Sequence, residues 1–419
     1  MSTGADDGVL ILSIGSGRRQ WLWNCIASVR RHRPDLGIHV LSDVPVDVPF
    51  TWVSALTGKA SRYYKTQMHR LSPFSGVTAF LDDDIIVHRE LPSFEDILAG
   101  AEIAVTPDAG RPTIGEACSR GCYWVSEAER RYMNEHYSPS LPQWSSGPLL
   151  FSKTENVTAA LDEWHTEWMR FQDIDQLALA RALVANPVRI QPLAVDAYNY
   201  WTSRGNRDSA NPYLFHCVKK EDNDKWYHRR HAEPAAPHVL YKAFCAAVDR
   251  GQWGRGQYET VGRLIHARKP MHLLVWGCGH DSNLWRLLNR GGRTVFVETD
   301  PEWAKRARSS GCEVIDWQPP TSRGVPFAGD VPDCPAGENW DMVIIDGPPG
   351  HACNTPGREL PIRWAAKSRA RVVVLHDLNR PWERWCTGRY LPPPSVCLPG
   401  NCLLGIWCDG LLAPEVTFG

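Results

Sequence analysis

Short apolar runs alternate with amphipathic stretches along most of the chain. In the first half the apolar run "GVLILSIGSG" precedes the helical pattern "RRQWLWNCIASVRRH". The strand pattern "IHVLSD", a second helical stretch "ASRYYKTQMHRL" and the run "GVTAFLDDDIIV" follow. This alternation predicts an open α/β sheet, in which ligands bind at the carboxyl ends of the strands. We therefore expect a site near the polar residues that follow these strands, which are Ser16, Asp43 and the triplet Asp82–Asp84.

The pattern breaks between residues 221 and 270. The segment "EDNDKWYHRRHAEPAAPH" is polar, charged and contains prolines, as linkers do. The pattern of residues 239–267 then predicts helix, with a glycine-rich interruption at 251–256. Strand and helix patterns alternate again through "HLLVWGCG", "TVFVETD", "CEVIDW", "WDMVIIDGPP" and "RVVVLHD". The sequence thus predicts two α/β domains, residues 1–234 and 235–419.

Composition limits the classes of function. The 419 residues suit more than one domain, and a net charge of −1 argues against a nucleic-acid partner, which requires a basic surface. The N-terminal apolar run has no basic residues before it and is too short for a signal sequence or a membrane span. We therefore expect a cytoplasmic protein without a membrane span. In that setting the thirteen cysteines are expected to be reduced thiols.

The triplet in "FLDDDIIVHRE" is the first candidate site. Asp82 and Asp84 are one residue apart after an apolar run, and alternation along an extended chain would point both side chains the same way. Two carboxylates directed at one point suit Mn²⁺ or Mg²⁺, and such an ion can neutralise a diphosphate. The alternative is a solvated acidic turn.

The surrounding segment, "SRYYKTQMHRLSPFSGVTAFLDDDIIV", resembles the region of the Asp-x-Asp motif in nucleotide-sugar glycosyltransferases with the GT-A fold. The similarity is greatest to the retaining, glycogenin- and galactosyltransferase-like group. The segments "PQWSSGPLLFSK", "DIDQLALARAL", "AYNYW" and "YLFHC" resemble later motifs of that family in the same order, over about residues 8–226. The resemblance implies a Rossmann-like GT-A domain, a nucleotide-sugar donor, most simply a UDP-sugar, and a glycan or glycoconjugate acceptor.

The same resemblance implies roles for individual residues. The implied ligands of Mn²⁺ or Mg²⁺ are Asp82, Asp84 and His216. The implied donor-site residues are Ser16, Arg62, Lys65, Asp83 and Lys219 (or its neighbour Lys220). Asp175 and Gln176 are expected beside the transferred sugar, and Ser146 and Gly147 are expected to bind substrate. The sequence departs from the family at Ser145, which stands where asparagine is usual, and after His216, where "CVKK" lacks the usual glycine.

The second domain carries a different cofactor pattern. Gly277 and Gly279 form a Gly-x-Gly turn after an apolar strand, and Glu298 ends the next strand about twenty residues later, where an acid can hold ribose hydroxyls. The third glycine of the dinucleotide fingerprint is missing, which favours S-adenosylmethionine and leaves NAD as the alternative. The predicted cofactor contacts are Gly277, Gly279, His280, Asp281, Ser282, Glu298, Asp316 and Trp317.

The segments "GHDSNLWRLLNRGGRTVFVETDPEW", "WDMVIIDGPPGH", "PGRELPIRWAA" and "VVVLHDLNRP" resemble the glucuronoxylan 4-O-methyltransferases of plants and related polysaccharide methyltransferases, over about residues 270–390. This implies a Rossmann-like, S-adenosylmethionine-dependent fold and methyl transfer to a sugar hydroxyl, such as the 4-OH of a uronic acid. Removing the hydroxyl proton requires a base or a metal. Asp346, His376 and Asp377 end adjacent strands and are expected to form a base–orienter pair or to bind a second divalent ion. Arg358 and Arg363 suit a uronate carboxylate.

Both resemblances together predict a bifunctional carbohydrate-modifying enzyme that adds a sugar and then methylates it. Two alternatives stay open from the sequence. In one, the chain is a sugar O-methyltransferase whose glycosyltransferase-like domain only binds glycan. In the other, it glycosylates and methylates an adduct on a nucleic-acid base.

Overall fold

The computed structural model describes residues 7–15, 19–54, 59–119, 125–201, 211–217, 238–319, 326–328, 331–337, 339–349, 355–368 and 370–408. The chain divides into two compact units, Met1–His238 and Val239–Gly419. Each unit contains a seven-stranded sheet with helices, so the predicted two-domain α/β architecture is confirmed. The predicted boundary after residue 234 lies outside the described residues.

The strands of the N-terminal unit are β1 (Gly8–Ser13), β2 (Gly37–Ser42), β3 (Phe50–Trp52), β4 (Thr78–Asp82), β5 (Ile85–Val87), β6 (Ile103–Pro107), β7 (Trp144–Phe151), β8 (Ile190–Pro192), β9 (Tyr200–Trp201) and β10 (Leu214–His216). The larger sheet has the order β3-β2-β1-β4-β7-β6-β8, and β7 runs antiparallel to both of its neighbours. The smaller sheet has the order β5-β10-β9. All six residues of β1 are buried, as expected for a central strand covered on both faces.

The helices of this unit are α1 (Arg19–His32), α2 (Ala60–Lys65), α3 (Met68–Leu71), α4 (Phe94–Leu98), α5 (Ile114–Ala117), α6 (Glu127–His136), α7 (Glu155–Phe171), α8 (Asp175–Ala185) and α9 (Val195–Tyr198). The single helical stretch expected at "ASRYYKTQMHRL" is thus divided into α2 and α3. Between them, the hydroxyl of Thr66 donates a hydrogen bond to the Tyr63 carbonyl at 3.1 Å. Such local side-chain bonds to the backbone compete with continuation of a helix.

The strands of the C-terminal unit are β11 (His272–Trp276), β12 (Arg293–Glu298), β13 (Glu313–Asp316), β14 (Met342–Ile345), β15 (Val372–Leu375), β16 (Val396–Leu398) and β17 (Leu404–Cys408). They have the order β13-β12-β11-β14-β15-β17-β16. Strands β11 to β15 are parallel, and β17 is antiparallel to β15. The chain changes its direction of travel between β11 and β14, which is where ligands of such sheets bind.

The helices of this unit are α10 (Val239–Arg250), α11 (Arg255–Arg268), α12 (Ser282–Leu288), α13 (Pro301–Ser309), α14 (Glu359–Lys367) and α15 (Pro381–Tyr390). The predicted glycine-rich interruption separates α10 from α11. In the part of the chain that the structure describes, we find no helix that is both long enough and apolar enough to cross a bilayer.

Candidate functional sites

The three residues expected to bind a metal in the N-terminal unit lie close together. Asp82 ends β4, and Asp83 and Asp84 form a turn rather than the extended strand expected from the sequence. His216 ends β10 and stands opposite Ile85 of β5 in the antiparallel register. This pairing brings His216 Nε2 to 3.5 Å from Asp84 Oδ1. Burial and the charge of Asp84 raise the pKa of Asp82, and Lys65 opposes the shift.

Two cations on α2 complete this cluster. Lys65 Nζ lies 2.7 Å from Asp82 Oδ2 and 3.6 Å from Asp175 Oδ2. Arg62 Nε lies 3.7 Å from Asp175 Oδ1. Burial alone would lower the pKa of Lys65, but Asp82 and Asp175 outweigh it and raise that pKa, so the ammonium stays charged. Gln176, which follows Asp175 in the first turn of α8, is half-buried.

The start of β7 lies against the same carboxylates. A Cβ on Gly147 would overlap Asp82 Oδ2 and would lie 3.5 Å from Lys65 Nζ, so the position leaves no space for a side chain. Burial would raise the pKa of Asp175, but Lys65 and a hydrogen bond from Ser146 lower it. Ser146 and Gly147 therefore border the Asp82–Lys65–Asp175 cluster.

Asp83 points away from this cluster and is 4% exposed. Its Oδ2 accepts a hydrogen bond from Ser13 Oγ at 2.7 Å. Arg19 donates to Ser13 Oγ at 3.4 Å and pairs with Asp43. The expected contact of Asp83 with the donor is therefore not supported, because its carboxylate belongs to a buried network. Two other expected donor residues, Ser16 and Lys219, lie outside the described residues.

Asp82, Asp84 and His216 fit Mn²⁺ or Mg²⁺ as a set of ligands. Two carboxylates and an imidazole are suitable ligands for these ions. His216 Nδ1 is hydrogen-bonded to Asn199 Oδ1 at 2.8 Å, which turns Nε2 toward Asp84. A hydrogen bond of this kind to the second ring nitrogen is usual for metal-binding histidines.

In the C-terminal unit, Asp346 and His376 follow the neighbouring strands β14 and β15. His376 Nδ1 lies 2.8 Å from Asp346 Oδ1, and Trp253 Nε1 donates to Asp346 Oδ2 at 2.9 Å. His376 Nε2 is buried and has no hydrogen-bond partner among the described residues. His376 Nδ1 thus faces a carboxylate that can orient the ring, and Nε2 is the nitrogen that a general base would use in this geometry.

Arg358 does not face solvent, where it would be needed to bind a uronate. It is 2% exposed, donates to the Asp346 carbonyl at 2.7 Å and to the His376 carbonyl, and lies 2.9 Å from Asp377 Oδ2. Its guanidinium is therefore used inside the unit, and the expected role in substrate binding is not supported. Arg363 contacts the Phe327 carbonyl at 3.2 Å.

The ligand atoms of His376, Asp377 and Cys402 lie within 4.8 Å of one another, a spacing that could suit a metal. However, Asp377 Oδ2 also lies 2.8 Å from Arg380 Nη2, in addition to its pairing with Arg358. Burial and a hydrogen bond to Asp377 raise the pKa of Cys402 to about 11, which keeps the thiol protonated. Because two guanidinium groups already neutralise the carboxylate, these residues do not fit a divalent cation.

The predicted cofactor turn follows β11, at the point between β11 and β14 where the strand order changes direction. Gly277 has φ +95°, and a Cβ there would lie 2.9 Å from Gly347 N. Glu298 ends β12, accepts the Cys278 N–H, and accepts the N–H groups of Thr299 and Asp300 at 2.7 and 2.8 Å. The left-handed glycine lets the chain turn tightly against the Gly347 backbone, and a tight turn beside a carboxylate at the next strand end fits the adenosine part of S-adenosylmethionine.

The other predicted cofactor residues lie in different surroundings. Gly279 N–H donates to Ser282 Oγ at 2.9 Å, and Asp281 is buried near Asp346. His280 is exposed, with its ring 5.1 Å from that of Trp303. Asp316 stands opposite Glu298 in the sheet, but its carboxylate pairs with Arg308 at 2.7 Å. Trp317 packs edge-on against Trp276 in the core.

Several neighbours of these sites were not predicted. Trp253 lies in the glycine-rich interruption before β11, and its sequence "GQWGRG" was interpreted only as a break between helices. Asn199 lies in the quoted segment "AYNYW", and Arg380 follows in "VVVLHDLNRP". Each is recognisable only once the sheets place it against a predicted site residue.

Comparison with known proteins matches the C-terminal unit to methyltransferases. The IRX15/IRX15L/GXM family model matches residues 257–318. Glucuronoxylan 4-O-methyltransferase 1 of Arabidopsis thaliana is 30% identical in a 161-residue alignment that covers 30% of this chain and 57% of that protein. Arabinogalactan O-methyltransferase 2 of the same plant is 30% identical over 166 residues, covering 30% of this chain and 57% of that protein. The chain thus spans little more than half the length of these relatives, and the resemblance stated from the sequence is confirmed.

Solved structures of glycosyltransferases are also similar to this chain. The bifunctional glycosyltransferase WbbM is 16% identical, with a TM-score of 0.40, over 55% of this chain and 51% of that one. The galactosyltransferase LgtC is 11% identical, with a TM-score of 0.36, over 54% of this chain and 97% of that one. GlyE of Streptococcus pneumoniae is 11% identical, with a TM-score of 0.38, over 83% and 87% of the two chains.

Proposed function

We propose that this chain is a bifunctional enzyme that transfers a sugar from a nucleotide-sugar donor to a glycan or glycoconjugate and O-methylates a sugar hydroxyl. The observation that carries the proposal is the presence of two separate clusters of chemically reactive side chains, one in each unit, at or just after the ends of strands. One contains Asp82, Asp84 and His216. The other contains Asp346 and His376.

In the N-terminal unit, Asp82, Asp84 and His216 would hold Mn²⁺ or Mg²⁺, which supplies charge to stabilise the departing diphosphate. Lys65 is a protonated group beside Asp82, so it can donate to a phosphate or sugar oxygen. Asp175 is kept ionised by Lys65 and Ser146 and can accept hydrogen bonds from sugar hydroxyls. The preference for a UDP-sugar as the donor rests on the family resemblance alone.

In the C-terminal unit, S-adenosylmethionine bound at the Gly277 turn beside Glu298 supplies an electrophilic methyl group. His376 Nε2 accepts the proton of the sugar hydroxyl, and Asp346 stabilises the imidazolium through Nδ1–H. His376 is fully buried, so access of the hydroxyl to Nε2 requires a rearrangement of the side chains packed around the imidazole.

The names of the relatives, glucuronoxylan and arabinogalactan methyltransferases, support a polysaccharide as the methyl acceptor. If that acceptor is a uronic acid, Arg380 is better placed than Arg358 to bind its carboxylate. Its side chain is 24% exposed while it contacts Asp377 beside His376, whereas that of Arg358 is 3% exposed. We further propose that the sugar is added before it is methylated.

The test incubates the purified chain with a panel of glycan acceptors, each nucleotide sugar in turn, Mn²⁺ and labelled S-adenosylmethionine, omitting one component at a time. We expect nucleotide release with one donor, and methyl label in the acceptor only when that donor is present. Label that enters the acceptor equally without a nucleotide sugar would contradict the proposed order. Methylation without release of any nucleotide would indicate that the N-terminal unit only binds glycan.

A further inference from the structure

The side chain of Asn199 links the candidate metal ligand His216 to strands β6 and β7. It is fully buried between α9 and β9. Its Oδ1 accepts hydrogen bonds from His216 Nδ1 at 2.8 Å and from Trp201 Nε1 at 3.2 Å. Its Nδ2 donates to Thr106 Oγ1 and to Ser145 Oγ, both at 3.1 Å. The amide therefore makes hydrogen bonds with four side chains that belong to four different strands.

The orientation of the Asn199 amide follows from its partners. An indole N–H can only donate, so the atom that faces Trp201 must be the amide oxygen. On the other side, the Ser145 hydroxyl donates to the Gly147 carbonyl at 2.9 Å and so accepts from the amide NH₂. A flipped amide would place two donors against each other at Trp201. The oxygen that faces His216 can only accept, and His216 Nδ1 must therefore carry a hydrogen.

A neutral imidazole protonated at Nδ1 has its lone pair at Nε2. In this structure Nε2 lies 3.5 Å from Asp84 Oδ1, so the Nε2 lone pair of a neutral His216 would face a carboxylate oxygen. Two acceptors in this arrangement are stabilised by a cation between them. We propose that Asn199 is a positioning residue that holds His216 in the Nδ1–H tautomer, so that Nε2 binds a divalent cation together with Asp82 and Asp84.

The inference rests on the proposed metal-dependent sugar transfer. It also accounts for Ser145, where the sequence departs from the asparagine of related glycosyltransferases. Ser145 is buried and joins Asn199 to the Gly147 carbonyl, next to Asp82. The serine hydroxyl thus supports the orientation of the amide instead of reaching a sugar.

The experiment measures Mn²⁺ binding to the full chain by calorimetry and by electron paramagnetic resonance, without any substrate. We expect Asn199→Leu to weaken Mn²⁺ binding by about 10- to 100-fold, the usual effect of removing such a partner of a metal-binding histidine. Asn199→Asp can still accept from Nδ1–H and should bind Mn²⁺ within a few-fold of the wild-type chain. Thermal unfolding of both variants identifies any loss caused by misfolding.

A second readout follows the histidine itself. In metal-free protein, nitrogen NMR of His216 should show hydrogen on Nδ1 in the wild-type chain and in Asn199→Asp, and on Nε2 to a large extent in Asn199→Leu. In a His216→Ala background, adding Asn199→Leu should cause no further loss of Mn²⁺ affinity, because both changes remove the same ligand.

The outcomes separate the inference from the proposed function. Equal Mn²⁺ affinity of the wild-type chain and Asn199→Leu would overturn the inference and leave the metal site intact. An imidazolium in the wild-type chain that stays protonated on both nitrogens when Mn²⁺ is added would also overturn it. Failure of the wild-type chain to bind Mn²⁺ would instead remove the metal site and the inference together.

Discussion

His376 Nδ1 and Asp346 Oδ1 are 2.8 Å apart, although 30 positions separate the two residues in the chain. They meet because β14 and β15 are parallel neighbours in which Ile345 stands opposite Leu375, so that the residues after each strand emerge at the same edge. Trp253 Nε1 donates a hydrogen bond to the second carboxylate oxygen of Asp346. The pair is thus fixed by the sheet on one side and by the α10–α11 connection on the other.

This relationship predicts the effect of changing either partner. Asp346→Asn can place an amide NH₂ against Nδ1–H, which favours the other tautomer and removes the lone pair at Nε2. His376→Ala removes the base. Each change should lower methyl transfer by about 100- to 10,000-fold, the usual contribution of a positioned general base. The measurement is transfer of label from S-adenosylmethionine to a glycosylated acceptor.

The matched control for the base is His272→Ala, a change of the exposed histidine at the start of β11. It should leave methylation unchanged. The His376→Ala enzyme should accumulate a glycosylated, unmethylated product. Normal methylation by His376→Ala would exclude the imidazole as the base.

The metal ligands of the N-terminal unit give a second prediction. Asp82→Asn or Asp84→Asn removes one negative charge from a site of hard oxygen ligands, so sugar transfer should be abolished. Binding of S-adenosylmethionine should be unchanged, because its predicted site belongs to the other unit. Nucleotide release and calorimetry measure the two effects, and Asp35→Asn, at an exposed aspartate, is the control. Full sugar transfer by both variants would refute the metal assignment.

A third prediction concerns the methyl-donor site. Gly277→Val would place a branched side chain at φ +95° and into the backbone of Gly347, and Glu298→Ala would remove the acceptor of three backbone N–H groups. Both should weaken S-adenosylmethionine binding by more than about tenfold, because each displaces the turn that the ligand approaches. Gly388→Ala, in open space on α15, is the control. Unchanged affinity in both variants would disprove the site, and tight NAD binding would favour the other cofactor.

The effects of metal removal should differ between the two reactions. EDTA should stop sugar transfer and Mn²⁺ should restore it, whereas methylation of a preformed glycosylated acceptor should continue. The reason is that Arg358 and Arg380 already neutralise Asp377. Cys402→Ser should likewise retain methylation. Loss of methylation with EDTA, reversed by a divalent cation, would show that His376, Asp377 and Cys402 bind metal after all.

How far the sequence predicted these sites depends on how local their geometry is. The alternation of strand and helix patterns predicted two α/β units, and the polar residues at the strand ends indicated that Asp346 and His376 lie together. The three-stranded sheet and the antiparallel strands β7 and β17 were not predicted. The inward direction of the Arg358 side chain was not predictable. Arg358 precedes α14, and its guanidinium turns inward because it donates to the carbonyls of Asp346 and His376, which follow two different strands. Asp316 occupies its expected place in the sheet, but Arg308 of α13 pairs with its side chain.

The last prediction concerns the dependence of stability on pH. Asp281 is buried close to Asp346, and burial followed by repulsion from Asp346 raises its pKa to about 7. Trp253 Nε1 donates a hydrogen bond to Asp346, and His376 Nδ1 lies 2.8 Å from it, whereas burial keeps Asp281 protonated to a higher pH than usual. The folded-state pKa of Asp281 is thus above its unfolded value. Its contribution to stability is then fully present below about pH 4, where the acid is protonated in both states, and is lost as the pH rises through about 7.

Asp281→Asn cannot ionise, so the free energy of unfolding should decline less between pH 5 and pH 8 in that variant than in the wild-type chain. Urea unfolding of the ligand-free chains at several pH values measures this difference, with Asp341→Asn, at an exposed aspartate of the same unit, as the control. If Asp281→Asn and the wild-type chain lose stability equally over that range, Asp281 is ionised in the folded protein and the proton lies elsewhere in the cluster.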